Sequence, residues 1–351
     1  MEINRLGEVP GRILLGMSGG MDSYFSALLL RNAGAEVIGA TLIFSENTDV
    51  EAARRASEAA GIELVVRDCR EIFDKKVKDG FAMEYHRGRT PNPCVLCNRY
   101  VKMQTLYELS RELMCDAYSS GHYAGKKTLS NGRFAISAAS DAKKDQSYML
   151  CRLTQEEINF FFPVLFSESK ERLKSDWQLT AGSPHFAGES QDICFIPDGN
   201  YTGFVLSRCG ESKKGFFTDE AGNRIAEHKG IANYTVGQRK GLGVALGYPA
   251  YVTDIDPVSG NITLSSEKGV YKDTIDVSQL CFQGLEEDAE GIFEFDVKIR
   301  YAAPMAKCSV RIENGRARAR FEKPQKNPAP GQAAVFYRDG VIMFSGFIDR
   351  R

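Results

Sequence analysis

A glycine-rich loop near the N-terminus limits the possible folds more than any other part of the sequence. It reads Gly16-Met-Ser-Gly-Gly-Met-Asp-Ser23 and lies between the apolar run 12–15 and the helical pattern 23–32. Glycine lets the backbone approach an anion, and the amides that begin the next helix face that anion with partial positive charge. The two serines add hydroxyl donors, and Asp22 is a candidate ligand for Mg²⁺. The pattern predicts a phosphate-binding strand–loop–helix unit rather than a turn that binds nothing. It is not a Walker loop, because the chain has no Gly-x4-Gly-Lys-Ser/Thr sequence.

The first half of the chain alternates short apolar runs with amphipathic helical stretches. This order is typical of a parallel sheet that is covered by helices on both faces. The sequence Thr48-Asp-Val-Glu51 predicts a capping box at the start of the second helix. His122 follows the last strand, and the residues alone favour a structural role for it. The predicted strands are 12–15, 37–44, 62–66 and 117–120, and the predicted helices are 23–32, 48–60 and 99–114.

The second half of the chain is richer in glycine and in strand-like alternation. Glycine is dense from Gly215 to Gly247, and the pairs Asn314-Gly315 and Asp339-Gly340 interrupt alternating apolar patterns. Such pairs favour two-residue hairpins, so this part predicts a small antiparallel barrel at the C-terminus. We therefore predict an α/β domain with a parallel sheet over 1–195, a small central β-rich domain over 196–268 and a C-terminal antiparallel β-barrel over 269–351.

The composition is that of an ordinary globular protein with more than one domain. Of the 351 residues, 43% are hydrophobic and 26% are charged, and no apolar run reaches the ~18 residues of a membrane span. The first residues lack the features of a secretory signal, and nine scattered cysteines do not form a disulfide framework. We therefore expect a cytoplasmic protein that does not associate with membranes. Residues 298–326 carry nine Lys or Arg against two acids, which fits either a solvated face or a surface for a phosphate backbone.

Three cysteines stand in polar settings that favour a chemical role. Cys94-Val-Leu-Cys97 follows two prolines and opens a helix, and Cys194 follows the polar block 188–192. The partial positive charge at a helix N-terminus stabilises a thiolate, so we predict a reactive pair at neutral pH. The spacing also fits a redox pair or half of a zinc site, although a second close pair is missing from the sequence. The other cysteines stand singly in apolar or strand-like settings and are interpreted as packing residues: Cys69, Cys115, Cys151, Cys209, Cys281 and Cys308.

These motifs resemble those of a known enzyme superfamily and, within it, of one particular family. The loop 16–23 resembles that of the PP-loop ATP pyrophosphatases, which implies cleavage of ATP to AMP and pyrophosphate with adenylylation of a substrate oxygen. Further motifs follow in order: 88–98, Gly121-His-Tyr123, Lys144-Asp-Gln-Ser-Tyr148, Ser190-Gln-Asp-Ile-Cys-Phe-Ile196 and Gly237-Gln-Arg-Lys-Gly-Leu-Gly243. With these, the chain from Leu14 to Phe347 resembles the tRNA-specific 2-thiouridylases. That resemblance implies ATP-dependent 2-thiolation of the wobble uridine of tRNA by way of an adenylylated uracil and a cysteine persulfide.

The resemblance also implies partners and a role for each matching position. It implies ATP and Mg²⁺ at the loop, the anticodon arm of tRNA as substrate, and an upstream carrier protein that delivers sulfur. Cys97 is the implied catalytic nucleophile, and Cys194 the implied carrier of the persulfide. The implied ATP-binding residues are Gly16, Met17, Ser18, Gly19, Gly20, Met21, Asp22, Ser23, Leu42 and Gly121. The implied contacts with the target base are Asn92, Pro93 and Cys94, and those with tRNA are Lys144, Asp145, Gln146, Arg300 and Tyr301.

The chain departs from the family pattern at two places, and three alternatives stay open. Many members have Asp where this chain has Cys94, and the segment after Leu42 is shorter here and lacks their Asn-Trp. Cys94, Cys97 and Cys194 together suffice for a 4Fe–4S cluster with one open iron, which is an alternative chemistry for the same thiolation. A PP-loop amidating or ligating enzyme that acts on a small metabolite would need none of these thiols. An RNA-binding protein without catalysis would not need an intact loop.

Overall fold

The N-terminal part is built on a four-stranded parallel sheet. The computed structural model of the protein describes residue 6, residues 8–169, residues 171, 173 and 175, and residues 193–350. The first strands are β1 (Arg12–Gly16), β2 (Glu36–Ile43), β3 (Glu63–Asp68), β4 (Ala117–Ser119), β5 (Ala124–Thr128) and β6 (Phe134–Ala138). The first four lie in the order β3-β2-β1-β4, all in parallel. Side chains alternate along β1, so Leu14 packs on one face of the sheet while Ile13 and Leu15 pack on the other.

Helices cover both faces of this sheet, which confirms the predicted architecture. The α-helices are α1 (Met21–Asn32), α2 (Val50–Ala60), α3 (Arg70–Phe73), α4 (Asp79–His86), α5 (Pro93–Cys97), α6 (Gln104–Glu112), α7 (Gln155–Phe160) and α8 (Tyr201–Cys209). Single π-helical turns, Asp74–Lys78 and Asn98–Met103, join α3 to α4 and α5 to α6, and short 3₁₀ turns span Ser147–Leu150, Ile231–Asn233 and Glu267–Val270. α1 and α2 share a core with Ile13 and Leu15, whereas α6 packs on the face of Leu14. Within the described part of the chain, no helix has the length and apolar character needed to cross a bilayer.

Two helices begin at other residues than predicted, because a different side chain provides the cap. Asp49 caps α2, where its carboxylate accepts a 2.8 Å bond from the Ala52 amide. The predicted cap at Thr48 is wrong, because its hydroxyl accepts bonds of 3.1 and 3.2 Å from amides of the preceding loop. The helical run predicted from residue 99 begins already at Pro93, since Asn92 caps it.

The remaining strands form a small central sheet and a closed barrel. The central strands are β7 (Phe216–Thr218), β8 (Arg224–Glu227), β9 (Tyr251–Ile255) and β10 (Ile262–Ser265), in the order β8-β7-β10-β9. The barrel strands are β11 (Tyr271–Phe282), β12 (Gly291–Lys298), β13 (Ala306–Glu313), β14 (Arg316–Lys326), β15 (Ala333–Arg338) and β16 (Val341–Ile348). Their antiparallel pairing closes because β11 pairs with β14 on one side and with β16 on the other. The predicted C-terminal antiparallel barrel is confirmed.

Two predicted hairpins shape the barrel, and one unpredicted hairpin joins it. Asn314-Gly315 and Asp339-Gly340 all have positive φ between 50° and 73°, as a type I′ turn requires. The β5–β6 hairpin extends the barrel sheet through the pairing of Ser137 with Val341 on β16. Strands that lie early in the chain therefore share a sheet with the C-terminal strands. The boundaries at 195 and 268 stay predictions.

Ion pairs made by two arginines link different parts of the molecule. Arg350, just after the last barrel strand, binds Asp254 at 2.7 Å and Asp256 at 2.8 Å on the central sheet. Arg208 on α8 binds Asp74 in the first π turn at 2.7 Å. These ion pairs link the end of the barrel to the central sheet and α8 to the N-terminal part.

Candidate active site

The glycine-rich loop turns from β1 into α1 through a network of serine hydroxyls. The amide and the hydroxyl of Ser18 both lie 3.3 Å from the hydroxyl of Ser23, which donates to the Gly20 carbonyl at 2.8 Å. Asp22 lies in the first turn of α1, and its carboxylate accepts a 2.9 Å bond from the Tyr123 hydroxyl. The loop is thereby fixed at the positive end of a helix, where an anion is stabilised.

A cavity of about 460 Å³ lies at this loop. Its walls also come from the end of β2, from the second π turn and from residues 194–195, and its size is typical of a small-molecule site. Most residues predicted to bind ATP line it: Gly16, Met17, Ser18, Asp22, Ser23, Leu42 and Gly121. Gly19, Gly20 and Met21 belong to the loop but do not line the cavity.

Two glycines allow close packing at the loop, and at Gly19 a side chain would collide with backbone. Gly19 has φ +77°, and a Cβ there would lie 2.7 Å from the carbonyl carbon of Ala52 on α2. A Cβ on Gly121 would lie 3.1 Å from the Ser23 amide nitrogen. Glycine therefore lets α2 and the segment after β4 approach the loop closely, and the segment after β4 also lines the cavity.

The cysteine pair begins the helical run 93–112. Asn92 caps this run, because its side-chain oxygen accepts bonds from the amides of Cys94 (3.1 Å) and Val95 (3.4 Å), and Pro93 is the first helical residue. Cys94 is exposed on the first turn, whereas Cys97, three residues later, is only 7% exposed. The contacts of Asn92, Pro93 and Cys94 with a target base stay predictions.

Burial reverses the reactivity that we predicted for this pair. It raises the pKa of Cys97 from an ordinary 9.0 to about 12. Protein atoms around Cys94 also raise its pKa, although its side chain still contacts solvent. The prediction of a pair that ionises readily is therefore wrong for this conformation, because desolvation outweighs the helix terminus. The positive charge of Lys102 acts in the opposite direction on both thiols.

Cys194 joins the pair beside the cavity. It is exposed, it lines the cavity, and its charge influences the pKa of both Cys94 and Cys97, so the three sulfurs lie within electrostatic range of one another. Residues 188–192, which precede Cys194 in the predicted motif, lie outside the described residues. Among the described residues, no group of three His, Cys, Asp or Glu side chains is arranged to hold a metal ion, and the 4Fe–4S cluster on the three thiols stays a prediction.

Two further residues of the cavity were not assigned to it from the sequence. Lys102 lies on the second π turn with its Nζ 5.9 Å from the centroid of the Phe44 ring, and it is the only Lys or Arg among the described residues that line the cavity. His122 also lines the cavity, with its Nδ1 2.9 Å from the Ser120 hydroxyl. Burial lowers the pKa of His122 to about 3, so its ring is neutral at pH 7. The position of Lys102 five residues after Cys97 was the sequence signal that could have placed it near the thiols. The π turn between them changes which face of the helical run a residue occupies, so helix spacing alone did not reveal it.

The three residues 144–146, which are predicted to contact tRNA, lie in different environments. The Asp145 carboxylate is buried and accepts bonds from the Ala139 amide (3.1 Å) and from the amide and hydroxyl of Ser147 (3.1 and 2.9 Å). Gln146 lines the nucleotide cavity, and its side-chain oxygen accepts a 3.0 Å bond from the Tyr123 amide. Lys144 is half-buried. The tRNA contacts of these residues stay predictions, and the Asp145 carboxylate is committed to bonds inside the protein.

Tyr148 connects the cysteine helix to the predicted RNA contacts on the barrel. Its hydroxyl donates to the Ala333 carbonyl at 2.9 Å and lies beside the Asn92 side chain. Its ring centroid is 6.1 Å from that of Tyr301. The neighbouring Arg300 lines a second cavity of about 590 Å³. All three parts of the chain contribute to this cavity through Thr90, Tyr201, Thr235, Val236, Gly237, Gln238, Asn327, Ala329 and Gln332.

The fold and the site together define a nucleotide-binding protein of the HUP type, with a thiol group at the nucleotide cavity and two β-rich domains attached. Comparison with protein families agrees with this class. The family described as tRNA methyl transferase HUP domain matches residues 11–198, the tRNA methyl transferase PRC-barrel domain matches 203–266, and the aminomethyltransferase beta-barrel domain matches 272–348.

Curated relatives match the chain over nearly its full length. The tRNA-specific 2-thiouridylase MnmA of Lachnoclostridium phytofermentans is 38% identical, over 96% of this chain and 99% of the relative. That of Carboxydothermus hydrogenoformans is 38% identical, over 98% of this chain and 100% of the relative. That of Clostridioides difficile is 34% identical, over 97% and 98%. The chain belongs to the family of the tRNA-specific 2-thiouridylases.

Proposed function

We propose that the protein transfers sulfur to C2 of the wobble uridine of tRNA in a reaction driven by ATP. The observation that carries this proposal is that Cys194 lines the same cavity as the phosphate loop and lies within electrostatic range of Cys97. An oxygen activated by ATP at the loop and a sulfur held on Cys194 would thus meet in one place. An amidating enzyme or a non-catalytic RNA-binding protein has no use for a thiol in the nucleotide cavity, so neither alternative explains this arrangement.

The first half-reaction activates the uracil ring. The 2-oxo group is a poor leaving group, so its oxygen attacks the α-phosphorus of ATP. A new O–P bond forms, and the bond between the α-phosphorus and pyrophosphate breaks. The loop amides and the positive end of α1 stabilise the charge on the departing pyrophosphate, and the Ser18 hydroxyl adds a donor. The uracil oxygen then leaves as part of AMP.

Asp22 is the residue through which this chain would hold Mg²⁺. Its carboxylate lines the cavity at the first turn of α1 and is oriented by the Tyr123 hydroxyl. Mg²⁺ usually keeps several waters and is bound by one or two carboxylates together with substrate phosphates, so one carboxylate at this place fits the ion. When bound, the ion supplies positive charge that neutralises the pyrophosphate.

The second half-reaction delivers the sulfur. A sulfur-carrier protein loads Cys194 as a persulfide, whose terminal sulfur attacks C2; a C–S bond forms, and the C2–O bond breaks as AMP leaves with the electron pair. Cys97 then attacks the inner sulfur of Cys194 as a thiolate, and the charge of Lys102 offsets part of the desolvation that raises the pKa of this thiol. The bond to the transferred sulfur breaks, that sulfur keeps the electron pair as 2-thiouridine, and a Cys97–Cys194 disulfide remains. Two electrons from an external thiol reductant then reduce this disulfide to the two thiols. All nine cysteines are free thiols here, which suits the reducing cytoplasm that we propose as its location.

We propose that tRNA docks on the face that carries Arg300 and Tyr301. Tyr301 is 37% exposed, and the Nζ of Lys298 lies 5.6 Å from its ring centroid. An exposed aromatic ring beside a cation is suited to stacking on a base that lies next to a phosphate. In the basic segment of the barrel, Arg316 and Arg318 are paired with acids at 2.7 and 2.6 Å, so part of its positive charge is neutralised within the protein.

The test is reconstitution with purified protein, ATP, a protein persulfide that donates sulfane sulfur to Cys194, and unmodified tRNA. The expected products are AMP, pyrophosphate and a tRNA that is retarded on a mercury-containing gel. Cys97→Ser and Cys194→Ser should abolish the retardation while ATP binding survives. Cys209→Ser, which changes a half-buried cysteine on α8, is the matched control and should thiolate normally. Full activity of either the Cys97 or the Cys194 variant would refute the proposal.

A further inference from the structure

Lys102 lies at the nucleotide cavity without an acidic partner. Its side chain is half-buried, its Nζ lies 5.9 Å from the centroid of the Phe44 ring, and among the described residues no carboxylate forms an ion pair with it. A ring face holds a cation in place without neutralising its charge. Since no other Lys or Arg of the described residues lines this cavity, the site has one positive side chain that is positioned to pair with an anionic ligand.

The position of Lys102 is common to both halves of the proposed reaction. Lys102 lines the cavity together with Ser18 of the phosphate loop and with Cys194. After burial, the charge of Lys102 is the next influence on the pKa of Cys97 and on that of His122, so it lies within electrostatic range of both. The positive charge therefore lies where a ligand of the loop and the sulfur of a thiol would come together.

The chemistry of uracil activation indicates which phosphate this charge would meet. C2 of the uracil must lie within reach of the sulfur on Cys194, and the oxygen on C2 bonds directly to the α-phosphorus. The α-phosphate therefore lies on the side of the thiols, whereas the pyrophosphate lies at the loop amides and the first turn of α1. A cation within electrostatic range of Cys97 is accordingly placed for the α-phosphate.

We propose that Lys102 is a catalytic residue that binds the α-phosphate of ATP and stays on the phosphate of AMP as this group leaves. The proposal rests on the function proposed above and deepens it. When the uracil oxygen attacks, an O–P bond forms and the bond to pyrophosphate breaks, and Lys102 stabilises the negative charge on the α-phosphate oxygens. When sulfur attacks C2, the same charge stabilises the AMP that departs with the electron pair of the C2–O bond. Lys102 keeps its protons throughout.

The first test measures the binding of ATP, AMP and pyrophosphate by titration calorimetry, each with Mg²⁺. Lys102→Met should lower the affinities for ATP and AMP at least about tenfold, as expected for a lost hydrogen bond between charged groups, and leave that for pyrophosphate unchanged. Lys102→Arg, which keeps the charge, should recover most of both affinities. Unchanged affinities in Lys102→Met, or a loss for pyrophosphate as large as that for AMP, would overturn the proposal. A wild-type protein that binds no ATP would refute the proposed function instead.

Lys76→Met is the matched control for this measurement. Lys76 also lies in a π turn, with its Nζ 5.4 Å from the centroid of the Tyr100 ring, but it is exposed and does not line the nucleotide cavity. The variant therefore removes the same charge from a similar local setting, and it should bind all three ligands like the wild type.

The second test separates this role from the influence of Lys102 on Cys97. It uses Cys97→Ser protein and follows the tRNA-dependent exchange of labelled pyrophosphate into ATP, which reports formation of the adenylylated uracil. Adding Lys102→Met should lower the exchange rate at saturating ATP at least about tenfold, whereas adding Lys102→Arg or Lys76→Met should preserve most of it. A rate that Lys102→Met leaves unchanged would show that Lys102 serves only the thiols. If Cys97→Ser protein itself shows no exchange, the proposed activation of uracil is refuted.

Discussion

Replacing Gly19 with alanine should damage both stability and nucleotide binding, and the structure allows the two causes to be separated. Gly19 has φ +77°, and a conformation of this kind costs an L-residue about 1–2 kcal/mol. The new Cβ would also lie 2.7 Å from the backbone of Ala52 and Ala53 on α2. Overpacking of this kind costs about 1–3 kcal/mol. We therefore expect Gly19→Ala to destabilise the protein by about 2–5 kcal/mol, from the sum of both terms.

Gly132 provides the matched control for the backbone term. It lies in the turn between β5 and β6 with φ +81°, and a Cβ there would meet nothing within 4 Å. Gly132→Ala should therefore cost only the conformational term of about 1–2 kcal/mol. The difference between the two variants isolates the collision with α2.

Stability is measured by urea unfolding followed by far-ultraviolet circular dichroism, and ATP affinity by titration calorimetry. Since the collision must displace either α2 or the loop, ATP affinity of Gly19→Ala should fall at least about tenfold, which corresponds to about 1.4 kcal/mol. Gly132→Ala should bind ATP like the wild type. Equal losses of stability in both variants, or unchanged ATP affinity in Gly19→Ala, would show that the close approach of α2 does not shape the loop.

Three further predictions concern charge. Because burial raises the pKa of Cys97 from 9.0 to about 12, iodoacetamide at pH 8 should label it about 1,000-fold more slowly in the folded protein than in urea; labelling at similar rates, read by mass spectrometry, would contradict the burial. Lys102→Met removes a positive charge that lowers the pKa of Cys97, so labelling of Cys97 should require a higher pH in this variant than in the wild type. Lys76→Met, which changes an exposed lysine, should leave the pH dependence of Cys97 labelling unchanged. Bonds from Ser259 and Arg350 lower the pKa of Asp256 below its ordinary 3.8. Its contribution to stability is therefore present above pH 3.8 and is lost as pH falls through the lowered pKa. Asp256→Asn should thus be less stable than the wild type at pH 7, with a gap in urea midpoints that narrows toward pH 2, and a gap that widens on acidification would refute the ion pair.

Part of the fold and of the site could be predicted because the signals are local. The turn from β1 into α1 follows from glycines and serines that act within eight residues, and the type I′ hairpins follow from the pairs at 314–315 and 339–340. The continuous apolar run 13–15 in β1 similarly predicts that both faces of the sheet are covered. In each case the residues that decide the conformation are neighbours in the chain.

The rest depends on contacts between residues that are distant in the sequence. The sequence placed Cys97 near a helix N-terminus, which favours a thiolate, but packing from other segments decides its desolvation and raises its pKa. Lys102, in the second π turn, lines the nucleotide cavity beside Phe44, which lies far earlier in the chain. Burial and electrostatic energy are sums over spatial neighbours, so only the tertiary structure determines which thiol is hidden, which is exposed and which charge lies beside them.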